Sequence, residues 1–248
     1  MTRTWNCNWM GMAGTAGLVG MLLALLACSP SWADDQQGFV PLFDGETLDG
    51  WDGDPGFWRV EDGAIVGQTT ADNPTQRNTF LIWEGGEPGD FELKFEYRID
   101  SDWANSGVQV RSRRLDGYRV GGYQPDIANV DWITGIMYEE AGRGILARRG
   151  QKLVISVEGE RQVERFAEED ALGQHVHPRD WNVYHVLAEG NRLVTKINGV
   201  KMHEVIDDAP EARSEGVIAF QLHSGPPMTI RFRNIRLKCL DSNDQSQD

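Results

Sequence analysis

Strict alternation of apolar and charged residues in one segment most limits how this chain can fold. Residues 91–100 read FELKFEYRID. A period of two puts every second side chain on the same face of an extended strand, whereas a helix would scatter the apolar residues around its surface. The pattern predicts a half-buried antiparallel strand. Its predicted core-facing residues are Phe91, Leu93, Phe95, Tyr97 and Ile99.

The remaining patterns also predict strands. Asn198-Gly199 lies between two strand-like runs, and Asn-Gly readily adopts the positive φ angles of a type I′ hairpin turn. Further strand candidates are 107–113, 181–188, 216–223 and 228–238. In the last of these the apolar residues change parity, which predicts a β-bulge near Asn234. Only 164–172 is predicted to form a short surface helix.

The N-terminus predicts export. Arg3 precedes an apolar run from Gly14 to Ala27, which is shorter than a membrane-spanning helix and is followed by Ser31-Trp32-Ala33. We expect residues 1–33 to be a signal peptide and the mature protein to be periplasmic or secreted. The rival signal, Leu25 to Cys28, is similar to a bacterial lipoprotein box and would anchor the protein to a membrane through Cys28.

Charge and cysteine content limit the partners and the cross-links. Removing residues 1–33 changes the formal charge from −14 to −15, which disfavours nucleic acid and anionic membranes as partners. Cys7 and Cys28 lie in the leader, so a chain cleaved after Ala33 keeps Cys239 alone and forms no intrachain disulfide. About 215 mature residues fit one all-β domain, predicted over 34–240, with a disordered polar tail over 241–248.

Four motifs in order resemble those of a known family, and the resemblance extends over nearly the whole mature chain, from about Gly38 to Leu240. The motifs are Phe43–Trp51, Asn105–Arg111, Gly216–Gly225 and Phe232–Lys238. Together they resemble the domain of unknown function 1080 family, also called the 3-keto-disaccharide hydrolase domain. The resemblance implies a concanavalin-like or laminin-G-like jelly-roll β-sandwich. It also implies cleavage of glycosides already oxidised to a ketone at C3, so that the partner would be a carbohydrate.

Two strand candidates present polar side chains away from their apolar faces. Val108 and Val110 share one face of the first, and Ile218, Phe220 and Leu222 share one face of the second. The opposite faces then carry Gln109, Arg111, Gln221 and His223, which could converge on one ligand. The alternative is a polar sheet face in contact with solvent.

The segment 118–143 is rich in glycine and in polar side chains, and we expect it to form loops that carry a site. The candidate substrate-binding residues are Asn105, Gln109, Gln124, Tyr138, Arg143 and Gln221. The candidate catalytic residues are His223, Glu139, Asp126 and Arg111. The alternative is that Asp126, Glu139 and Arg143 form loop ion pairs and turn caps.

The chemistry implied by the resemblance needs a base and a group that stabilises an oxyanion. A ketone at C3 acidifies the C2 proton, so its removal can expel the C1 substituent, after which water adds. His223, Glu139 or Asp126 could be the base. Arg111 could stabilise the oxyanion, and so could a divalent metal held by Asp126, Glu139 and His223, although these spacings match no compact metal motif.

Two functional classes therefore remain. One is an exported hydrolase or eliminating lyase that acts on 3-keto-glycosides. The other is a non-catalytic carbohydrate-binding or interaction module, which would need hydrogen-bonding groups and aromatic platforms but no proton-transfer residue. The co-occurrence of His223, Arg111, Asp126 and Glu139 favours the enzyme.

Export can be tested by mass. We expect the intact mass of the exported product to correspond to a chain that begins at Asp34, because the small residues before it fit signal-peptidase cleavage. A product that retains residues 1–33 would contradict this expectation, and a lipid adduct on Cys28 would support the anchored alternative.

Overall fold

The computed structural model describes residues 37–130 and 132–240. Within that part the chain forms two facing β-sheets and one short helix. The elements are β1 (Val40–Pro41), β2 (Trp51–Asp52), β3 (Trp58–Glu61), β4 (Ala64–Gln68), β5 (Thr79–Trp83), β6 (Phe91–Ile99), β7 (Asn105–Arg114), β8 (Val120–Ala128), β9 (Met137–Glu140), β10 (Gly144–Ala147), β11 (Gln151–Ile155), β12 (Arg161–Arg165), α1 (Glu169–Gly173), β13 (Asn182–Glu189), β14 (Arg192–Ile197), β15 (Val200–Asp207), β16 (Val217–Leu222) and β17 (Thr229–Cys239).

The two sheets differ in width. The ten-stranded sheet runs β12-β11-β15-β14-β13-β6-β17-β4-β3, with β1 paired to β17, and the seven-stranded sheet runs β10-β9-β8-β7-β16-β5-β2. Their apolar faces meet in an aromatic core, in which the Phe220 and Phe232 rings stack with centroids 4.0 Å apart and Phe95 meets Phe220 edge-on at 5.1 Å. This arrangement confirms the predicted all-β sandwich.

Several sequence predictions match the structure. The alternating segment forms β6, and all five of its predicted core residues are buried. The predicted hairpin joins β14 to β15, with φ of 50° at Asn198 and 82° at Gly199. The bulge lies where predicted, since the pairing of β17 with β6 shifts between Arg233 and Arg236 and Asn234 has a φ of 53°.

Two predictions were wrong. Residues 164–172 do not form one helix, because their first part ends β12 and α1 starts only at Glu169. The segment 118–143 is not mainly loop, because β8 and β9 occupy much of it. The glycines of this segment favoured a loop, but β8 is paired on both sides, with β7 and β9, and these tertiary contacts override the local preference.

Some expectations lie outside the described residues. The predicted leader, the site of lipidation at Cys28 and the polar tail 241–248 all fall there, so these remain predictions, as do the domain limits. In the part of the chain that the structure describes, no helix has the length and apolar character needed to cross a membrane.

A buried ionic cluster joins the two sheets. Tyr123 of β8 donates a hydrogen bond from its hydroxyl to Asp207 of β15 at 2.6 Å. Arg143, in the turn after β9, donates to Asp207 Oδ2 at 2.6 Å and to Glu139 Oε2 at 2.6 Å. Burial alone would raise the pKa of Asp207, but the hydrogen bonds from Arg143 and Tyr123 hold that pKa below its usual value.

This cluster makes stability depend on Arg143. We expect Arg143→Met to lower the free energy of unfolding at pH 7 by about 3–5 kcal/mol, because it leaves buried carboxylates without their cation. Since the folded pKa of Asp207 is lowered, the stabilisation is present above its unfolded pKa and is lost as the pH falls through the folded value. The difference between variant and wild type, measured by urea denaturation, should therefore shrink at acidic pH.

The matched control is Arg59→Met, which removes an arginine paired with Glu61 at the surface. An exposed pair contributes little, so this variant should unfold nearly as wild type does. Equal losses in the two variants would contradict the role of the buried cluster.

Candidate functional site

The outer face of the seven-stranded sheet is buried, although a polar face in contact with solvent was one expectation. At one end of this face Phe80, Ile82, Val120, Val217 and Ala219 form a small apolar cluster. At the other end three glutamines are almost fully buried, with exposed fractions of 0% for Gln109, 2% for Gln124 and 0% for Gln221. Buried amides need partners, so their hydrogen bonds determine the structure of this end.

The glutamines form a directed chain of hydrogen bonds. Ser112 Oγ donates to Gln109 Oε1 at 2.6 Å, and Gln109 Nε2 donates to Gln124 Oε1 at 2.6 Å. Gln221 Nε2 donates to the same Gln124 oxygen at 3.0 Å, and Gln124 Nε2 donates to Asp126 Oδ1 at 2.7 Å. In each of these bonds an N–H or O–H group donates to an oxygen, so the series of hydrogen bonds ends on the Asp126 carboxyl group. Gln221 Oε1 has no partner among the described residues.

A glycine makes room for this chain. Gly107 pairs with Asp126 across β7 and β8. A Cβ atom at Gly107 would lie 2.6 Å from Gln124 Cγ and 3.0 Å from the Pro125 carbonyl oxygen. Any larger residue would therefore push Gln124 away from Asp126.

Above the glutamines lies a pocket of about 310 Å³. Its polar lining comes from β7, β8, β9 and the end of β16, and part of its wall comes from the segment between β8 and β9. The lining residues are Asn78, Asn105, Gln124, Asp126, Trp132, Ile133, Ile136, Tyr138, Glu140, Ile145, Gln221 and His223. The pocket thus brings together six of the residues predicted to form a site: Asn105, Gln124, Asp126, Tyr138, Gln221 and His223.

Asp126 is the buried acid of the pocket, with 5% of its surface exposed. Burial raises its pKa well above the usual value, the hydrogen bond from Gln124 partly opposes this, and the charge of Glu140 raises it further. A protonated Asp126 can still accept from Gln124 through one oxygen while it donates through the other. Burial and the charge of Glu140 also raise the pKa of Tyr138, so its hydroxyl remains a donor.

His223 lies at the mouth of the pocket, just after β16. Its Nδ1 lies within hydrogen-bond distance of the Ser224 carbonyl oxygen, and a carbonyl can only accept. Nδ1 therefore carries the proton in the neutral ring, and the lone pair of Nε2 has no hydrogen-bond partner among the residues that the structure describes. The Trp103 ring packs edge-on against the imidazole, with centroids 5.9 Å apart.

A shallower opening continues from the pocket. It is lined by Gln76, Arg77, Asn78, Arg119, Glu140, His223 and Ser224. Asn78, Glu140 and His223 belong to both cavities, so they lie at the boundary between them. Asn78 is fixed there because it donates to Glu140 Oε1 at 3.2 Å and accepts from the Ser224 N–H at 3.1 Å.

Arg111 is not in this pocket, which corrects the predicted face. Its φ of 45° and the shifted pairing between β7 and β8 mark a bulge that turns the side chain away from the side occupied by Gln109. Arg111 is 1% exposed and donates to the Gly89 and Gly190 carbonyl oxygens and to Asp90. These contacts join the two sheets and indicate a structural role.

Glu139 and Arg143 also lie outside the pocket, in the ionic cluster that includes Asp207. Gln109 lies beneath the pocket, where it supports Gln124, and does not line it. The predicted metal set of Asp126, Glu139 and His223 is therefore not assembled, because Glu139 lies on the opposite face of β9. No group of three or more His, Cys, Asp or Glu side chains that could hold a metal occurs among the residues described.

Sequence reasoning missed Glu140, Asn78, Ile133, Ile136 and Ile145. Glu140 could have been found, since the apolar Met137 places odd-numbered positions of β9 toward the core and even-numbered ones, Tyr138 and Glu140, on the other face. Asn78 carried no such signal, because it precedes β5 and comes near His223 only through the pairing of β5 with β16.

Comparison with known proteins gives a family. Residues 38–238 match the 3-keto-alpha-glucoside-1,2-lyase-like domain, which confirms the resemblance seen in the sequence. None of the curated proteins gives a significant match.

Solved structures confirm the fold class. A protein from Parabacteroides distasonis described as a "putative glycosyl hydrolase" has a TM-score of 0.53 at 19% identity, covering 82% of this chain and 94% of its own. The carbohydrate-binding module CBM66 from Bacillus subtilis has a TM-score of 0.51 at 13% identity, with 76% and 95% covered. A Bacillus subtilis protein with a galectin-like fold has a TM-score of 0.50 at 9% identity, with 77% and 90% covered. These likenesses fit the predicted concanavalin-like jelly roll.

The raised pKa of Asp126 predicts an unusual effect on stability. A carboxyl group whose folded pKa is raised stabilises the fold fully below its unfolded pKa, and this contribution is lost as the pH rises. Asparagine at this position keeps an oxygen that can accept from Gln124 but cannot ionise. We therefore expect Asp126→Asn to melt at or above the wild-type temperature at pH 8, and to lose that advantage near pH 4, as measured by calorimetry. A greater destabilisation at pH 8 than at pH 4 would mean that the pocket stabilises the anion.

Proposed function

Because the chain belongs to the 3-keto-alpha-glucoside-1,2-lyase-like domain family, we propose that its pocket cleaves the glycosidic bond of sugars oxidised to a ketone at C3. The observation that carries this proposal is that one pocket contains both a proton acceptor and hydrogen-bond donors. The acceptor is the imidazole of His223 at the mouth, and the donors, deeper inside, are the Tyr138 hydroxyl and the protonated form of Asp126. Such an arrangement suits proton removal next to a carbonyl group.

The deep part of the pocket suits the ketone. Asp126 in its protonated form and the Tyr138 hydroxyl can both donate to the C3 oxygen as it becomes an enolate oxygen. The unpartnered Gln221 Oε1 can accept from a sugar hydroxyl, and the Asn105 amide lines the same wall. These groups gain hydrogen bonds when a polyhydroxylated ring enters, which favours a sugar over an apolar ligand.

The proposed step balances without an added reagent. His223 Nε2 removes the C2 proton, and the C2–H electrons form a C2=C3 double bond as the C3 carbonyl becomes an enolate. When the C3 carbonyl forms again, these electrons shift to a C1=C2 double bond and the C1–O bond breaks toward the leaving oxygen. That oxygen takes a proton from His223, which returns the ring to its starting state. Addition of water across the new double bond would then complete a net hydrolysis, whereas release before this addition would make the enzyme a lyase.

The shallower opening suits the leaving group. His223 and Glu140 lie at the boundary of the two cavities, where the scissile bond of a two-ring substrate would lie if its oxidised ring filled the pocket. Arg77 and Arg119 supply hydrogen-bond donors for the second ring. We propose that the protein performs this reaction outside the cytoplasm, as its leader predicts.

A non-catalytic carbohydrate-binding module is the second candidate, favoured by the buried amide cluster, which would bind a sugar with no proton transfer. Incubation with a 3-keto-disaccharide and with its unoxidised parent distinguishes the two candidates. The enzyme should release a free sugar only from the oxidised compound, whereas the binding module should retain both compounds unchanged.

His223 gives the sharpest test of the mechanism. We expect His223→Ala to lower kcat for the 3-keto-disaccharide by roughly 10²-fold or more, because the proton acceptor is removed. The melting temperature should change little, since the side chain lies at the pocket mouth and contributes little to packing. Turnover would be followed by chromatography of the released sugar.

The matched control is His185→Ala. His185 pairs with Glu92 at 2.9 Å on the ten-stranded sheet and does not line the pocket. Its loss should leave kcat unchanged. Near-wild-type turnover in folded His223→Ala protein would reject the proposed proton acceptor.

A further inference from the structure

A larger cavity, of about 620 Å³, lies at one end of the sandwich. The last residues of β6 and β8, Ile99 and Ala128, and the first residue of β13, Asn182, line its floor. One wall comes from the segment after β8 and another from α1 and the residues that follow it. This end crevice shares no lining residue with the pocket beneath His223.

The crevice contains a buried donor that nothing in the described structure uses. Tyr97 lines the crevice and is only 1% exposed, and its hydroxyl has no hydrogen-bond partner among the described residues. Burial raises the pKa of this hydroxyl, so it stays protonated. A buried polar group without a partner is costly, and a ligand oxygen in the crevice would supply the partner.

The crevice also contains a buried cation without a counterion. Arg149 is 4% exposed; its Nε donates to the Glu169 carbonyl oxygen at 2.7 Å and its Nη1 to the Thr134 carbonyl oxygen at 3.0 Å. In the described structure no carboxylate lies within 4.0 Å of its guanidinium nitrogens. Arg111, which is also deeply buried, does meet a carboxylate, at Asp90. A guanidinium stays charged, and its planar fork matches a carboxylate.

The rest of the lining suits a ring. Val130, Val176 and Pro178 add apolar surface beside Ile99 and Ala128. The exposed polar and charged side chains of the lining include Asp102, Asp170, Gln174, His177 and Arg179. A lining that combines apolar and polar side chains fits the faces and hydroxyl groups of a sugar. A sugar that also carries a carboxylate would satisfy the buried cation.

We infer that the end crevice is a second ligand site, which binds a hexuronate-like sugar acid with its carboxylate on Arg149 and a further oxygen on the Tyr97 hydroxyl. This site stands apart from the proposed function, because it uses none of the residues of the other pocket.

The test compares glucuronate with glucose, which differ in the group at C6. Calorimetric titration of the mature protein should give saturable glucuronate binding, with a Kd of roughly 1 mM, and binding of glucose at least tenfold weaker. Arg149→Met should weaken glucuronate binding about tenfold or more, toward that of glucose. Tyr97→Phe, which removes one oxygen from a buried ring, should weaken it several-fold with little change in melting temperature.

Two controls locate the binding. Arg161→Met removes an exposed arginine of β12 that does not line the crevice, and should leave the affinity unchanged. His223→Ala should also leave it unchanged, because His223 belongs to the other pocket. Absent glucuronate binding, equal binding of glucose, or loss of binding in His223→Ala would overturn the inference. If Arg149→Met does not fold, the test rests on Tyr97→Phe. An unchanged glucuronate affinity in Tyr97→Phe would then overturn the inference.

Discussion

Alternation of side chains along the seven-stranded sheet decides which residues meet in the pocket. In β8 the even positions Gln124 and Asp126 face outward, while Tyr123 and Ile127 face the core. Pairing of β8 with both β7 and β9 fixes this register. A slip of one residue would send Asp126 into the aromatic core and Tyr123 into the pocket, so the register that builds the core also builds the site.

The same rule explains how far the sequence could predict the structure. It predicted β6, the Asn198-Gly199 hairpin and the outward faces of Gln221 and His223, because nothing interrupts the alternation there. It failed at Arg111, where a bulge with positive φ reverses the face of one residue. No apolar residue marks that reversal, because both faces of the strand carry only polar residues from Arg111 to its end at Arg114. Long-range pairing, which brings Asn78 to His223, leaves no mark on the local sequence.

The buried polar groups of the pocket stabilise the fold less than apolar side chains in the same positions would. Three amides and a carboxyl group stand where the other end of the same face has apolar side chains. Their hydrogen bonds offset most of the cost of burial, and they hold the amides in one orientation. Gly107 belongs to this arrangement, because its missing side chain is the space that Gln124 occupies. Rigid donors of this kind need little reorganisation when charge develops on a bound ligand.

The segment between β8 and β9 is a wall of both cavities. Asn129, Val130 and Thr134 line the end crevice, and Trp132, Ile133 and Ile136 line the pocket. Arg149 holds this segment at the Thr134 carbonyl oxygen, and His203 holds it at the Gly135 carbonyl oxygen. A molecule that shifts this wall from one side alters the space on the other. Thermodynamic linkage then requires reciprocity: whatever factor one ligand applies to the affinity of the second, the second applies to the affinity of the first.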